Sequence, residues 1–171
     1  MRTVSERLGL AVAASLLLVG CVSLTPQQRA KVDEIQSFAD RTTAIYGLPG
    51  VRISIQSATN LNIGAMYRQG NVFVNVRMLD SPNLTKLIAH ELGHYVLGHE
   101  PAASVSSQAA WQRAQEQREL DANAKAVEIL MRAKGMSQNE AVRVVSEALQ
   151  RGQRAIERGL ADLKARFPEA R

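Results

Sequence analysis

All three histidines of the chain fall within ten residues: His90, His94 and His99. The first two frame the run Ile88-Ala89-His90-Glu91-Leu92-Gly93-His94-Tyr95-Val96. On a helix, side chains four apart project from one face on successive turns. Two neutral imidazole nitrogens at that separation can grip one zinc ion, each at about 2.0–2.1 Å. Glu91 is rotated off that axis, where its carboxylate can hold a water and take its proton. The metal's part is to bring that water's pKa toward about 7. Every other position from Ile88 to Val96 is uncharged, as a half-buried site helix requires.

Two histidines leave a catalytic zinc short of a ligand, because such sites use three protein donors and keep the fourth position for water. His99 follows His94 by only five residues, and Gly98 should end the helix just before it. In the metzincin pattern Gly and His stand three and six residues past the second ligand, a spacing that Gly98 and His99 miss. His99 is therefore expected to cap the helix or to sit at the rim of the cleft. The next predicted helix offers Glu116, Glu119 and Glu128 as carboxylate donors.

On that helix the run Arg118-Glu119-Leu120-Asp121-Ala122-Asn123-Ala124 resembles the gluzincin metallopeptidases, in particular the small members of the HtpX-like and prenyl-endopeptidase group. The similarity covers about Val72 to Arg132. It implies Glu119 as the third zinc ligand and Glu91 as the general base. It also implies that position 123, one turn past the ligand, orients a ligand histidine. That position is Asp in the group and Asn123 here. An amide still accepts from an imidazole N–H, but it lacks the charge that raises ligand basicity. The Asp121-Ala122-Asn123 run is also similar to the regulatory peptidases that act on phage repressors.

These residues must be positioned by regular elements. Thr25-Pro26-Gln27-Gln28 reads as a helix start, with apolar residues from Val32 to Ile45 at helical spacing and Gly47-Leu48-Pro49-Gly50 as its stop. Val51 to Ile55 alternates as a half-buried strand. Two more short strands, Ile63 to Tyr67 and Val72 to Val76, flank the turn Arg68-Gln69-Gly70-Asn71. The site helix should open at Asp80-Ser81-Pro82, with a loop over Pro101 to Gln108. A helix from about Ala109 to Lys134 should be closed by Gly135, and Ser137-Gln138-Asn139-Glu140 should cap another. A last helical stretch carries Ile156, Leu160, Leu163 and Phe167. The pattern predicts an α+β, zincin-like fold, with a small three-stranded sheet beside a helical body. By the gluzincin resemblance, the strand Asn71 to Val76 would receive an extended peptide at its edge. Candidates for steadying the oxyanion are Tyr46, Tyr67, Tyr95 and Arg118.

The chain begins with Arg2 and Arg7, then 13 uncharged residues from Leu8 to Gly20. That layout is a secretory signal, and the apolar run falls short of the about 20 residues a membrane span requires. Leu18-Val19-Gly20-Cys21 resembles a bacterial lipobox, which implies removal of residues 1–20 and a lipid on Cys21. By resemblance to lipoprotein sorting in Gram-negative bacteria, Val22 after the cysteine implies the outer membrane, facing the periplasm. Residues 21–171 then form a single domain, and one cysteine excludes an internal disulfide. The net charge of +5 demands no nucleic-acid partner. Glu140, Glu147, Glu157 and Asp162 alternate with Arg143, Arg151, Arg154, Arg158 and Arg166, the pattern of a solvated helix face. The expected function is a lipid-anchored zinc endopeptidase with one Zn2+ and protein or peptide substrates, possible in envelope protein quality control by family analogy. Its rival is a zinc-binding chaperone or assembly lipoprotein of low activity.

Overall fold

A computed structural model describes residues 22–61, 63–99 and 107–151. Cys21 and the signal-like segment, most of the loop after the site helix, and the last helical stretch lie outside the described residues. Among the described residues four helices accompany a three-stranded mixed sheet, the α+β architecture expected.

Local chemistry accounts for most of the boundaries. Helix α1 (Pro26–Tyr46) begins with a complete capping box: Thr25 Oγ1 accepts from the Gln28 N–H, and Gln28 Oε1 accepts from the Thr25 N–H, both at 3.1 Å. It ends at Gly47, whose φ of 64° is the left-handed cap that glycine adopts without penalty. Strands β2 (Ala65–Arg68) and β3 (Asn71–Asn75) are joined by Gln69 and Gly70 with φ of 47° and 74°. Two consecutive positive values fit a tight antiparallel hairpin.

Strand order departs from sequence order. β3 lies in the middle, parallel to β1 (Arg52–Gln56) and antiparallel to β2. With a neighbour on each side β3 has no free edge, so it cannot be the peptide-receiving strand expected above. That edge belongs to β2. The outer edge of β1 is covered by α1 instead. The Gln36 amide donates to the Val51 carbonyl at 2.8 Å and accepts from the Ile53 N–H at 2.9 Å.

The register puts Ile53, Ile55, Ala65, Tyr67, Val72 and Val74 on one face, against the helices. Between β3 and the site helix the chain makes a 3-10 turn (Val76–Asp80) that the sequence pattern did not announce. Its start is held by the Asn75 side chain, which accepts from the Arg77 N–H and donates to the Leu61 carbonyl. That turn moves the start of α2 (Leu84–Val96) past the expected opening at Asp80 or Ser81, to Asn83, which makes no side-chain capping bond. Helix α3 (Gln108–Lys134) is capped by Ser107 and closed by Gly135, φ 70°. A fourth helix, α4, runs over 138–151, and Ser137 accepts from the Glu140 N–H at its start. On α4, Arg143 and Arg151 pair with exposed Glu147, the solvated face read from their spacing. Among the described residues no helix is long and apolar enough to cross a membrane.

Helix α2 is the centre of the packing. Ile88, Ala89 and Leu92 are fully buried, in one core with Phe38 of α1, Val72 and Val74 of β3, and Ile129 and Leu130 of α3. Helices α2 and α3 touch most closely where Gly93 meets Ala122. A methyl group at Gly93 would lie 2.8 Å from the Ala122 carbonyl oxygen, closer than atoms tolerate. Backbone stands on both sides of that contact, so the helices themselves would have to part.

Gly93→Ala is therefore expected to destabilise the metal-free protein by about 1–3 kcal/mol in urea denaturation, the usual cost of overpacking. It should do so although alanine is the better helix former by roughly 1 kcal/mol. A stabilised variant would show that the crossing has room to spare.

Candidate metal centre

The crossing at Gly93 and Ala122 places four side chains around one point. His90 and His94 stand three before and one after Gly93, and Glu119 and Asn123 stand three before and one after Ala122. The nitrogens His90 Nε2 and His94 Nε2 are 3.2 Å apart. Glu119 brings Oε2 to 3.1 Å from His90 Nε2 and Oε1 to 3.4 Å from His94 Nε2. Ligands at 2.0–2.1 Å from a tetrahedral zinc lie about 3.3–3.4 Å from one another. The three spacings, 3.1 to 3.4 Å, are of that size, with one carboxylate oxygen turned to each histidine.

Proton placement points the same way. Asn123 Oδ1 lies 3.1 Å from His90 Nδ1, and an amide oxygen only accepts, so His90 carries its proton on Nδ1. Its Nε2 lone pair then faces a carboxylate and a second imidazole. Burial lowers the pKa of His90, aided by the Lys86 ammonium, and lowers that of His94, aided by the His90 ring. Both are neutral near pH 7. Converging lone pairs repel unless a cation sits among them, and two nitrogens with one carboxylate suit zinc.

Glu91 is 7% exposed, and burial pushes its carboxyl up to about 7, against the Tyr67 N–H that donates to Oε2 at 2.7 Å. One oxygen is anchored to the edge of β2; Oε1 has no hydrogen-bond partner among the described residues. The cleft above is about 350 Å³ and is lined by β2, both ligand histidines, Glu91, His99, and Gln115, Arg118 and Glu119 of α3.

Along α3 the structure brings one carboxylate to the histidines. Glu119 is the carboxylate in the cluster, while Glu116 is exposed and Glu128 pairs with Lys125 and Arg132. His99 is not among the clustered donors: its N–H closes α2 on the His94 carbonyl at 2.9 Å and its ring borders the cleft. Of the oxyanion candidates, the Tyr95 hydroxyl donates to the Pro49 carbonyl, and Tyr46 lies beneath Lys125 and Arg132. Tyr67 and Arg118 remain beside the cleft. Two features were missed. The Tyr67 backbone contact with Glu91 carries no side-chain signal. Lys86 did carry one, being a turn before His90: burial holds its ammonium below the usual lysine range, against the pull of Glu91 and Glu119.

The shift at Glu91 makes stability depend on pH. Its folded pKa, about 7, exceeds the ordinary 4.5 of a free glutamate, so the folded state holds this proton more tightly than the unfolded chain. The penalty is absent below about pH 4.5, grows between 4.5 and 7, and is complete above. Metal-free Glu91→Gln should therefore exceed the parent protein at pH 8 by up to about 3 kcal/mol. The difference should close as the pH falls to about 4.5. Chemical denaturation at the two pH values checks this, and a constant gap would show that Glu91 ionisation is not its source.

Comparison with known proteins agrees with the geometry. No curated protein and no solved structure matches the chain. The resemblance to the HtpX-like and prenyl-endopeptidase group finds no support in these comparisons. A family model does match, over residues 47–167, more than two-thirds of the sequence and all of the metal cluster. The chain belongs to the Peptidase_M78 family, that of the IrrE N-terminal-like domain, a family of zinc-metallopeptidase-like proteins.

Proposed function

We propose that the protein is a zinc-dependent endopeptidase of the gluzincin type, anchored in the bacterial envelope through a lipid on Cys21. The observation that carries the chemistry is the triangle of donors from His90, His94 and Glu119 beside the buried Glu91. A zinc ion held there supplies a Lewis acid that polarises the scissile carbonyl and acidifies the attacking water. The remaining work falls to side chains of this chain.

Glu91 keeps Oε2 on the Tyr67 N–H and uses Oε1 to take the water's proton. Its pKa near 7 lets it hold that proton and then pass it to the departing amine. Arg118, held by Gln115 at 3.2 Å, supplies positive charge at the cleft wall for the developing oxyanion. The outer edge of β2, at Ala65 and Tyr67, receives the substrate as an added strand. Envelope protein quality control is the setting that an anchored endopeptidase would serve.

A second reading is favoured by Asn123. A neutral amide on His90 leaves the ligand less basic than a carboxylate would, which suits a zinc-binding assembly or regulatory lipoprotein with little turnover. The mature protein assayed on an unfolded polypeptide separates the two. The peptidase reading expects one zinc per chain, lost in Glu119→Ala, and cleavage abolished in Glu91→Gln with zinc retained. Arg118→Ala should lower kcat by about 10²–10³. Undiminished cleavage by Glu91→Gln would end the peptidase reading, and stoichiometric zinc without cleavage by the parent protein would favour the second.

The anchor is tested separately. The full-length protein should fractionate with membranes and Cys21→Ser should be released; equal release of both would remove the lipid.

A further inference from the structure

Each ligand histidine has a second nitrogen that faces away from the metal position, and each of these has a partner. For His90 the partner is Asn123. For His94 it is another ring: His94 Nδ1 lies 2.9 Å from His99 Nδ1. The ring centroids are 5.2 Å apart and the planes are tilted by 59°, which rules out a stacked pair and suits a hydrogen bond.

Two facing imidazole nitrogens bond only if one carries a proton and the other a lone pair. His94 directs Nε2 at Glu119 and His90, so a neutral His94 that gives this lone pair to a metal keeps its proton on Nδ1. His99 Nδ1 must then be the acceptor, and His99 carries its own proton on Nε2. The reverse arrangement would put the His94 proton on Nε2, in the middle of the donor triangle.

The backbone is built for this contact. Gly98 takes φ of 64°, turning the chain back at the end of α2. The His99 N–H bonds the His94 carbonyl at 2.9 Å, so backbone and ring of His99 are both fastened to the same residue. This fixes why a histidine one residue short of metzincin spacing stands here.

We propose that His99 is a positioning residue for the metal centre: its Nδ1 accepts the His94 Nδ1 proton, holding His94 in the tautomer and orientation that present Nε2 to zinc. The inference rests on the metal-site reading above. On the outward Nδ1 neither ligand histidine meets a carboxylate among the described residues, so ring orientation in this site depends on two neutral acceptors, Asn123 and His99. The interaction matters for binding before any substrate arrives.

The test uses the mature protein, with zinc affinity measured by competition against a chromophoric chelator. His99→Phe keeps a flat ring but has no acceptor, and zinc binding should weaken about 10–100-fold. His99→Asn offers an amide oxygen close to the position of Nδ1 and should restore affinity to within a few-fold of the parent. In nitrogen NMR of the zinc-loaded protein, a protected His94 Nδ1 proton should be present in the parent and in His99→Asn, and exchange rapidly in His99→Phe. Urea stability of the metal-free forms should be alike, separating a positioning role from a merely structural one. Equal zinc affinity in the parent and His99→Phe would overturn the proposal while leaving the metal site intact. A parent protein that binds no zinc would overturn the metal-site reading and this proposal with it.

Discussion

The site depends on how closely two helices can approach. At Gly93 the absence of a side chain lets the Ala122 backbone seat against α2, and one methyl group would close that space. Because the contact residues are helical, their neighbours at the same offsets face the same point. That geometry converts one tight crossing into four converging side chains, two imidazoles from α2 and a carboxylate and an amide from α3. The sheet serves the same arrangement from below. β2 and β3 pack against α2, and edge strand β2 holds Glu91 by a backbone N–H.

Packing of this kind sets the chemistry as well as the shape. The burial that packs α2 into the core desolvates His90, His94 and Glu91 together. For the histidines it favours the neutral form, which is the ligand form. For Glu91 it raises the pKa into the range where a carboxyl both accepts and returns a proton near neutrality. These states do not favour folding: an ionised Glu91 in a dry pocket and lone pairs facing each other are both unfavourable until a cation is present. The centre is a place where local stability is given up for a cluster of desolvated polar groups, a pattern that functional sites share.

The partners of the ligand rings set the remaining tuning. A carboxylate behind a ligand histidine makes it a better electron donor, and neither Asn123 nor His99 carries that charge in its neutral form. Orientation is kept and basicity is not increased. Among the described residues Glu119 is then the one carboxylate that would face an ion held by the cluster. Glu119 itself is 55% exposed at its side chain, on the open side of the cleft where a substrate would enter.

Much of this was legible along the chain because it is local. The Thr25 and Gln28 capping box, the Gly47 and Gly135 stops, and the Gln69-Gly70 turn are decided by residues within a turn of one another. The four-residue spacing of His90 and His94 likewise needs only a helix. The sequence by itself thus determined most of the elements and the helix face that carries His90 and His94, with Glu91 beside them. What it left to the tertiary structure were relations between distant segments: which of Glu116, Glu119 and Glu128 reaches the histidines, which strand keeps a free edge, and what His99 touches. The 3-10 turn before α2 belongs with these, since the Asn75 side chain that starts it is held by the carbonyl of Leu61. Periodicity and capping are energies of neighbours in the chain, whereas strand order and helix crossing are chosen by the packing of residues tens of positions apart. Only the folded core makes that choice.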